Sequence, residues 1–151
     1  MTTASAQRQD SLINEMRETL RVIEQFTQLL DLETDALRKF DFDTVDQLQP
    51  QKLSLARDYE THVSALSAMR DDLKNTKSDL RDRIILARSV FSKTLADNIK
   101  TLDAIKNSSK RLVNRILTAA REAAHEPHSY GARGHLDHSQ KTTVLSIDQN
   151  I

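Results

Sequence analysis

Apolar residues recur along most of this chain in steps of three, four or seven, the spacing that gathers side chains on one side of an α-helix. Leu12, Met16, Leu20, Ile23, Phe26, Leu30 and Leu37 form the first such stripe, widened at its flanks by Val22 and Leu29. They predict a helix over residues 8–39, preceded by a disordered N-terminus of residues 1–7. Phe40-Asp41-Phe42-Asp43 then breaks the period. Asp43, with Asp46 three residues on, reads as the N-cap of a second helix over 44–75. Its seam is Val45, Leu48, Lys52, Leu55, Tyr59, His62, Leu66, Met69 and Leu73, alternating steps of three and four as a heptad does. Pro50 interrupts it and predicts either a kink or a short first turn followed by a helix with Pro50 at N1.

A third helix is expected over 79–124, with a seam running Leu80, Ile84, Ala87, Phe91, Leu95, Asn98, Leu102, Ile105, Ser109, Leu112, Ile116, Ala119 and Ala123. The two steps of four from Ala87 to Leu95 make a local stutter. Such a helix is about 70 Å long, the other two nearer ~48 Å. Pro127 ends it. Residues 125–151 carry both glycines and four of the five histidines without a helical stripe, and read as a flexible tail with one apolar cluster at Val144, Leu145 and Ile147.

Three helices with short connections predict an all-α fold: an antiparallel three-helix hairpin or coiled-coil bundle with an overhanging third helix. Folding the second helix back on the first about Phe42 brings Leu30 opposite Leu55 and Glu33 opposite Lys52. A cross-hairpin ion pair is the natural way to satisfy two charges on leucine-filled seams, and its role is to fix register. At the second turn Leu73 meets Leu80, and further along Leu55 faces Asn98 and Leu48 faces Ile105. Beyond that point the third helix has no neighbour. Leu112, Val113, Ile116, Leu117 and Ala120 are left on an overhang of roughly 20 Å. An uncovered apolar stripe implies a partner helix, self-association, or coverage by the tail cluster. Ile105 joins this partner-binding set, and Phe40 and Phe42, at the turn beside the overhang's base, are expected to serve as aromatic anchors or to plug the end of the bundle.

Composition narrows the function classes. Residues 1–129 contain no glycine, so phosphate loops, dinucleotide turns and nucleophile elbows are not expected there. Cysteine is absent, which removes disulfides, thiolate metal sites and cysteine nucleophiles. Aromatics are only 4% of the chain, a composition suited to aliphatic seams rather than an enclosed pocket. The polar start has no signal-peptide core and no apolar run approaches a membrane span, so a soluble cytoplasmic protein is expected.

Charge is zero overall but uneven. Residues 1–76 hold 9 Lys and Arg against 14 Asp and Glu, whereas residues 77–124 hold 11 against 5. The expectation is that the basic third helix packs on the acidic pair and that the charges set register, rather than binding nucleic acid. His125 and His128, then His135 and His138, form two H-x-x-H pairs whose spacing suits zinc or nickel. Without a second shell they predict no metal site, and His62 reads as a packed histidine.

The stretch LLDLETDALRKFDFDTVDQLQPQKLSLARDYE carries Leu29, Leu30, Glu33, Leu37, Asp41, Leu48, Lys52 and Leu55 in an order that resembles the FlgN-type flagellar export chaperones. Asn98 and Asn107, and a tail containing Tyr130, Gly131 and Gly134, are compatible with it. The resemblance covers most of residues 10–134. It implies a non-enzymatic cytoplasmic protein without a cofactor. Such a protein binds the amphipathic C-terminal helices of hook–filament junction proteins and delivers them to the flagellar type III export apparatus. It places substrate binding on residues 102–123, within which the overhang selects Leu112, Val113, Ile116, Leu117 and Ala120. The other reading is a coiled-coil structural or adaptor protein that homo-oligomerises through the same stripe.

Overall fold

The computed structural model describes residues 2–76 and 78–125, and within them the chain is all-α, without strands. Four helices follow one another: α1, Thr2–Arg38; α2, Phe42–Ala68; α3, Arg70–Asn75; and α4, Asp79–His125. The chain divides between Val113 and Asn114 into two units, and α4 runs uninterrupted through that boundary. The packed core belongs to the first unit. In the second, residues 114–125 are helical and exposed.

α1 is the central helix because four of its seven heptad rows are covered. Leu12, Thr19, Phe26 and Glu33 form one buried row, Met16, Ile23, Leu30 and Leu37 a second, and Val22, Leu29 and Ala36 a third; Leu20 and Thr34 extend the face further. A face this wide accommodates two neighbours at once. Ten of the 13 buried apolar residues therefore lie on α1, with only Leu55 from α2 and Ile84 and Phe91 from α4. The seam residues Leu48, Tyr59 and Leu66 of α2, Leu73 of α3 and Met69 between them are half-buried against that core. At mid-height Phe26, Tyr59 and Phe91, one from each long helix, make an aromatic layer. Its centroid separations are 5.1 Å for Phe26–Phe91 and 4.9 Å for Tyr59–Phe91. Such pairs contribute about 0.5–1.5 kcal/mol each beyond their burial.

The residues that meet give the directions of the helices. Glu33 with Lys52 and Glu15 with His62 run in opposite senses along α1 and α2, so the two are antiparallel, as expected. Phe26 with Phe91 and Glu33 with Asn98 share one offset of 65, so α4 runs parallel to α1.

Several boundaries differ from the sequence expectation. The first helix begins at Thr2, not at residue 8, because Ala4, Ala6, Gln7 and Arg8 are good helix formers with no glycine or proline among them. Its C-terminus closes on Phe40 in the left-handed region, φ 57°. The Phe40 N–H donates to Leu37 O (3.1 Å) and the Asp41 N–H to Ala36 O (2.9 Å), the paired bonds of a Schellman stop with phenylalanine where glycine usually sits. Asp41, not Asp43, caps α2: its carboxylate accepts from the Thr44 N–H at 3.2 Å and from the Thr44 hydroxyl at 2.6 Å. α2 then passes through Pro50 as one continuous helix, so proline is not at N1. The interruption falls instead at Met69, whose φ of −98° and ψ of 22° separate α2 from α3.

Candidate functional site

Along α4 the heptad rows of the core continue past the point where burial stops. Ile84, Phe91 and Asn98 are buried; seven residues on, Ile105 is half-buried; seven further, Leu112 is 59% exposed. The companion positions behave alike. Leu95 and Leu102 are half-buried, whereas Ile116 is 59% exposed. Val113 and Leu117 are also exposed, as is Ala120. Leu112, Ile116 and Ala120 follow one another in steps of four along α4, with Val113 and Leu117 beside them. The spacing is the i, i+4 ridge that receives another helix.

Phe40 and Phe42 do not plug the bundle: they are 66% and 48% exposed and meet edge to face at 6.3 Å. Their position follows from the Schellman stop and from Asp41, which starts α2 one residue later. The apolar cluster at Val144, Leu145 and Ile147, the tail histidines other than His125, and the rest of residues 126–151 lie outside the described residues.

At the level of Glu33 a polar cluster joins three helices. Glu33 is fully buried. Its Oε1 accepts from Lys52 Nζ at 2.8 Å and from Asn98 Nδ2 at 2.9 Å, and its Oε2 accepts from Gln49 Nε2 at 2.8 Å. Asn98 Nδ2 also donates to Thr34 Oγ1 at 3.1 Å, and Thr34 in turn donates to Leu30 O at 2.8 Å. Burial is the largest single influence on the Glu33 carboxyl and pushes its pKa up. The hydrogen bonds from Lys52, Asn98 and Gln49, with the Lys52 charge, outweigh it together, so the group lies below its ordinary value of 4.5. The Glu33–Lys52 pair is thus present as expected. Pairing arithmetic between successive helices does not bring α4, and with it Asn98, back onto α1, and Gln49 stands off the seam of α2 that the spacing defines. A polar residue on an otherwise apolar α4 row was the available signal. His62 is half-buried with Nδ1 2.5 Å from Glu15 Oε1, consistent with a packed histidine.

The charges of α4 do not behave as expected. Cross-helix ion pairs among the described residues are Lys52–Glu33, His62–Glu15 and Arg38–Asp97, and in none of them does α4 supply the cation. The buried residues of α4 are Ile84, Phe91 and Asn98, and of its lysines and arginines only Arg81 is half-buried, the others being exposed. Lys106, Lys110 and Arg121 fall on one flank of the exposed apolar ridge by helical phase and Arg115 on the other, with Arg111 on the opposite face.

No group of three or more potential metal ligands occurs among the described residues. No described helix is long and apolar enough to cross a membrane. The molecule is thus of the all-α class, with a helix whose apolar ridge outlasts its internal cover. Comparison with protein families, with curated proteins and with solved structures matched none of them to this chain.

Proposed function

We propose that this chain is a helix-gripping chaperone of the flagellar type III export kind, resembling the FlgN type. It holds the amphipathic C-terminal helices of hook–filament junction proteins in the cytoplasm until they reach the export apparatus. One observation carries the reading: an α4 face that is buried from Ile84 to Asn98 keeps its heptad pattern while becoming exposed from Leu112 onward. Exposed apolar ridges of this spacing are rare on surfaces that meet only water. In this reading Leu112, Val113, Ile116, Leu117 and Ala120 form the gripping ridge. Ile105 marks its base and the Phe40–Phe42 pair supplies aromatic anchors. The flanking cations favour a client whose apolar stripe is edged by acidic residues. No residue in this arrangement is given a catalytic role, and no cofactor enters it.

The test is a Leu112→Asp plus Ile116→Asp variant, read by circular dichroism and by titration against a purified hook–filament junction protein. Unchanged helicity with at least a hundredfold loss of affinity is the expected outcome. Unchanged affinity removes the ridge as the binding site. A wild-type mass that doubles with concentration, and that the double substitution restores to a monomer, favours the homo-oligomeric adaptor instead.

A further inference from the structure

Near the other end of the first unit, a cleft of about 460 Å³ opens between α2, α3 and α4, with Met16 and Thr19 of α1 in its lining. Its accessible apolar surface comes from Val63, Leu66, Leu73 and Ile85, and three arginines line it too: Arg70, Arg81 and Arg88. No aspartate or glutamate does. Arg81, Ile84, Ile85 and Arg88 lie at i, i+3, i+4 and i+7 on α4, so the two guanidinium stems stand about 10 Å apart along the axis with apolar residues between them. The break at Met69 begins α3 with Arg70, the third cation of the lining.

None of the three arginines makes an ion pair with a described residue, although Arg81 is itself half-buried. Glu15, next in sequence to Met16, already engages His62. A lining that joins an aliphatic surface to cations with no carboxylate to neutralise them is complementary to a molecule having an aliphatic part and a negative head. The volume lies in the range of small-ligand sites, about 300–1,000 Å³.

We infer that this cleft binds a single-chain amphiphilic anion, of which an aliphatic carboxylate is the simplest. The chain lies on Val63, Leu66 and Ile85, and the head is held by guanidinium groups, which match a carboxylate in two parallel hydrogen bonds. The site is separate from the proposed gripping ridge: Arg88 and Leu112 are 24 residues apart on one helix, about 36 Å by its rise.

The experiment is calorimetric titration of the full chain with decanoate below its aggregation concentration, with decan-1-ol as the uncharged control. One decanoate per chain, bound at least tenfold more tightly than decanol, is expected. Arg81→Gln plus Arg88→Gln, and separately Arg88→Gln alone at an exposed position, weaken decanoate and leave decanol unchanged, tenfold or more for the double variant. The Leu112→Asp plus Ile116→Asp variant binds decanoate as the wild type does, which separates this site from the ridge. Equal affinity for decanol, undiminished decanoate binding by the arginine variants, or attachment only to anionic vesicles overturns the assignment. So does displacement of decanoate by an acidic amphipathic peptide that binds the cleft more tightly, since the cleft is then a protein-docking groove.

Discussion

Phe40 holds a backbone conformation that costs a residue with a Cβ about 1–2 kcal/mol, and it does so with its ring exposed to solvent. Glycine meets the same geometry without that cost. Phe40→Gly is therefore expected to raise stability by about 1 kcal/mol in urea unfolding, while a client that uses the ring as an anchor is bound less tightly. Glu33 poses the opposite case, a buried charge held by several partners. Lys52→Met leaves its carboxylate with only the amide donors of Gln49 and Asn98, and about 2–3 kcal/mol of stability is expected to be lost. That figure is below the range for fully buried pairs because Lys52 keeps 24% of its side-chain surface exposed. The pH dependence follows from the direction of the Glu33 shift. A carboxyl whose folded pKa is depressed contributes stability that is complete above its unfolded value, near 4.5, and lost as pH falls through the lower folded value. Stability measured from pH 6 down to 3 should decline more steeply in the wild type than in Glu33→Gln, which has no proton to take up there.

At the scale of the helices, Pro50 occupies an exposed position inside α2 and deprives the Asp46 carbonyl of its helical donor. Just before it, Gln49 uses its amide to reach both Val45 O, at 2.9 Å, and Glu33. Pro50→Ala restores the missing bond, and a gain of about 1–3 kcal/mol in denaturant unfolding is expected, part of the benefit being offset by the freer unfolded chain. The long elements were legible because their apolar periods are strong. The hairpin register was legible too, because Glu33 and Lys52 had no other way to be satisfied on leucine seams. Where reading failed, local geometry decided. Asp41 and Asp43 both suit an N-cap by residue type, and only the left-handed turn at Phe40 brings Asp41 to the cap. The Met69 break carries no glycine or proline to announce it.

For the whole molecule, the apolar ridge of α4 was readable from seam lengths alone, since α2 runs out of seam before α4 does. The destination of the α4 charges was not, because composition cannot say which way a lysine faces. Acidic and basic segments within one chain suggest mutual neutralisation, yet no lysine or arginine is among the buried residues of α4 and its cations stay outside the cross-helix pairs. Titration with salt offers a check at this scale. If the flanking cations contact the client, affinity of the wild type should fall severalfold between about 50 and 200 mM salt, whereas Lys110→Gln plus Arg115→Gln should flatten that dependence.

Asp41 closes one helix and opens the next, so the hairpin has no spare residue in which to absorb an error. A single glycine inserted after Phe40 would turn α2 by roughly 100° against α1, carrying Lys52 and Gln49 away from Glu33 and Tyr59 away from Phe26. The turn is in effect a mechanical stop that sets rotational phase, which makes it one of the least insertion-tolerant connections in the protein even though it lies at the surface.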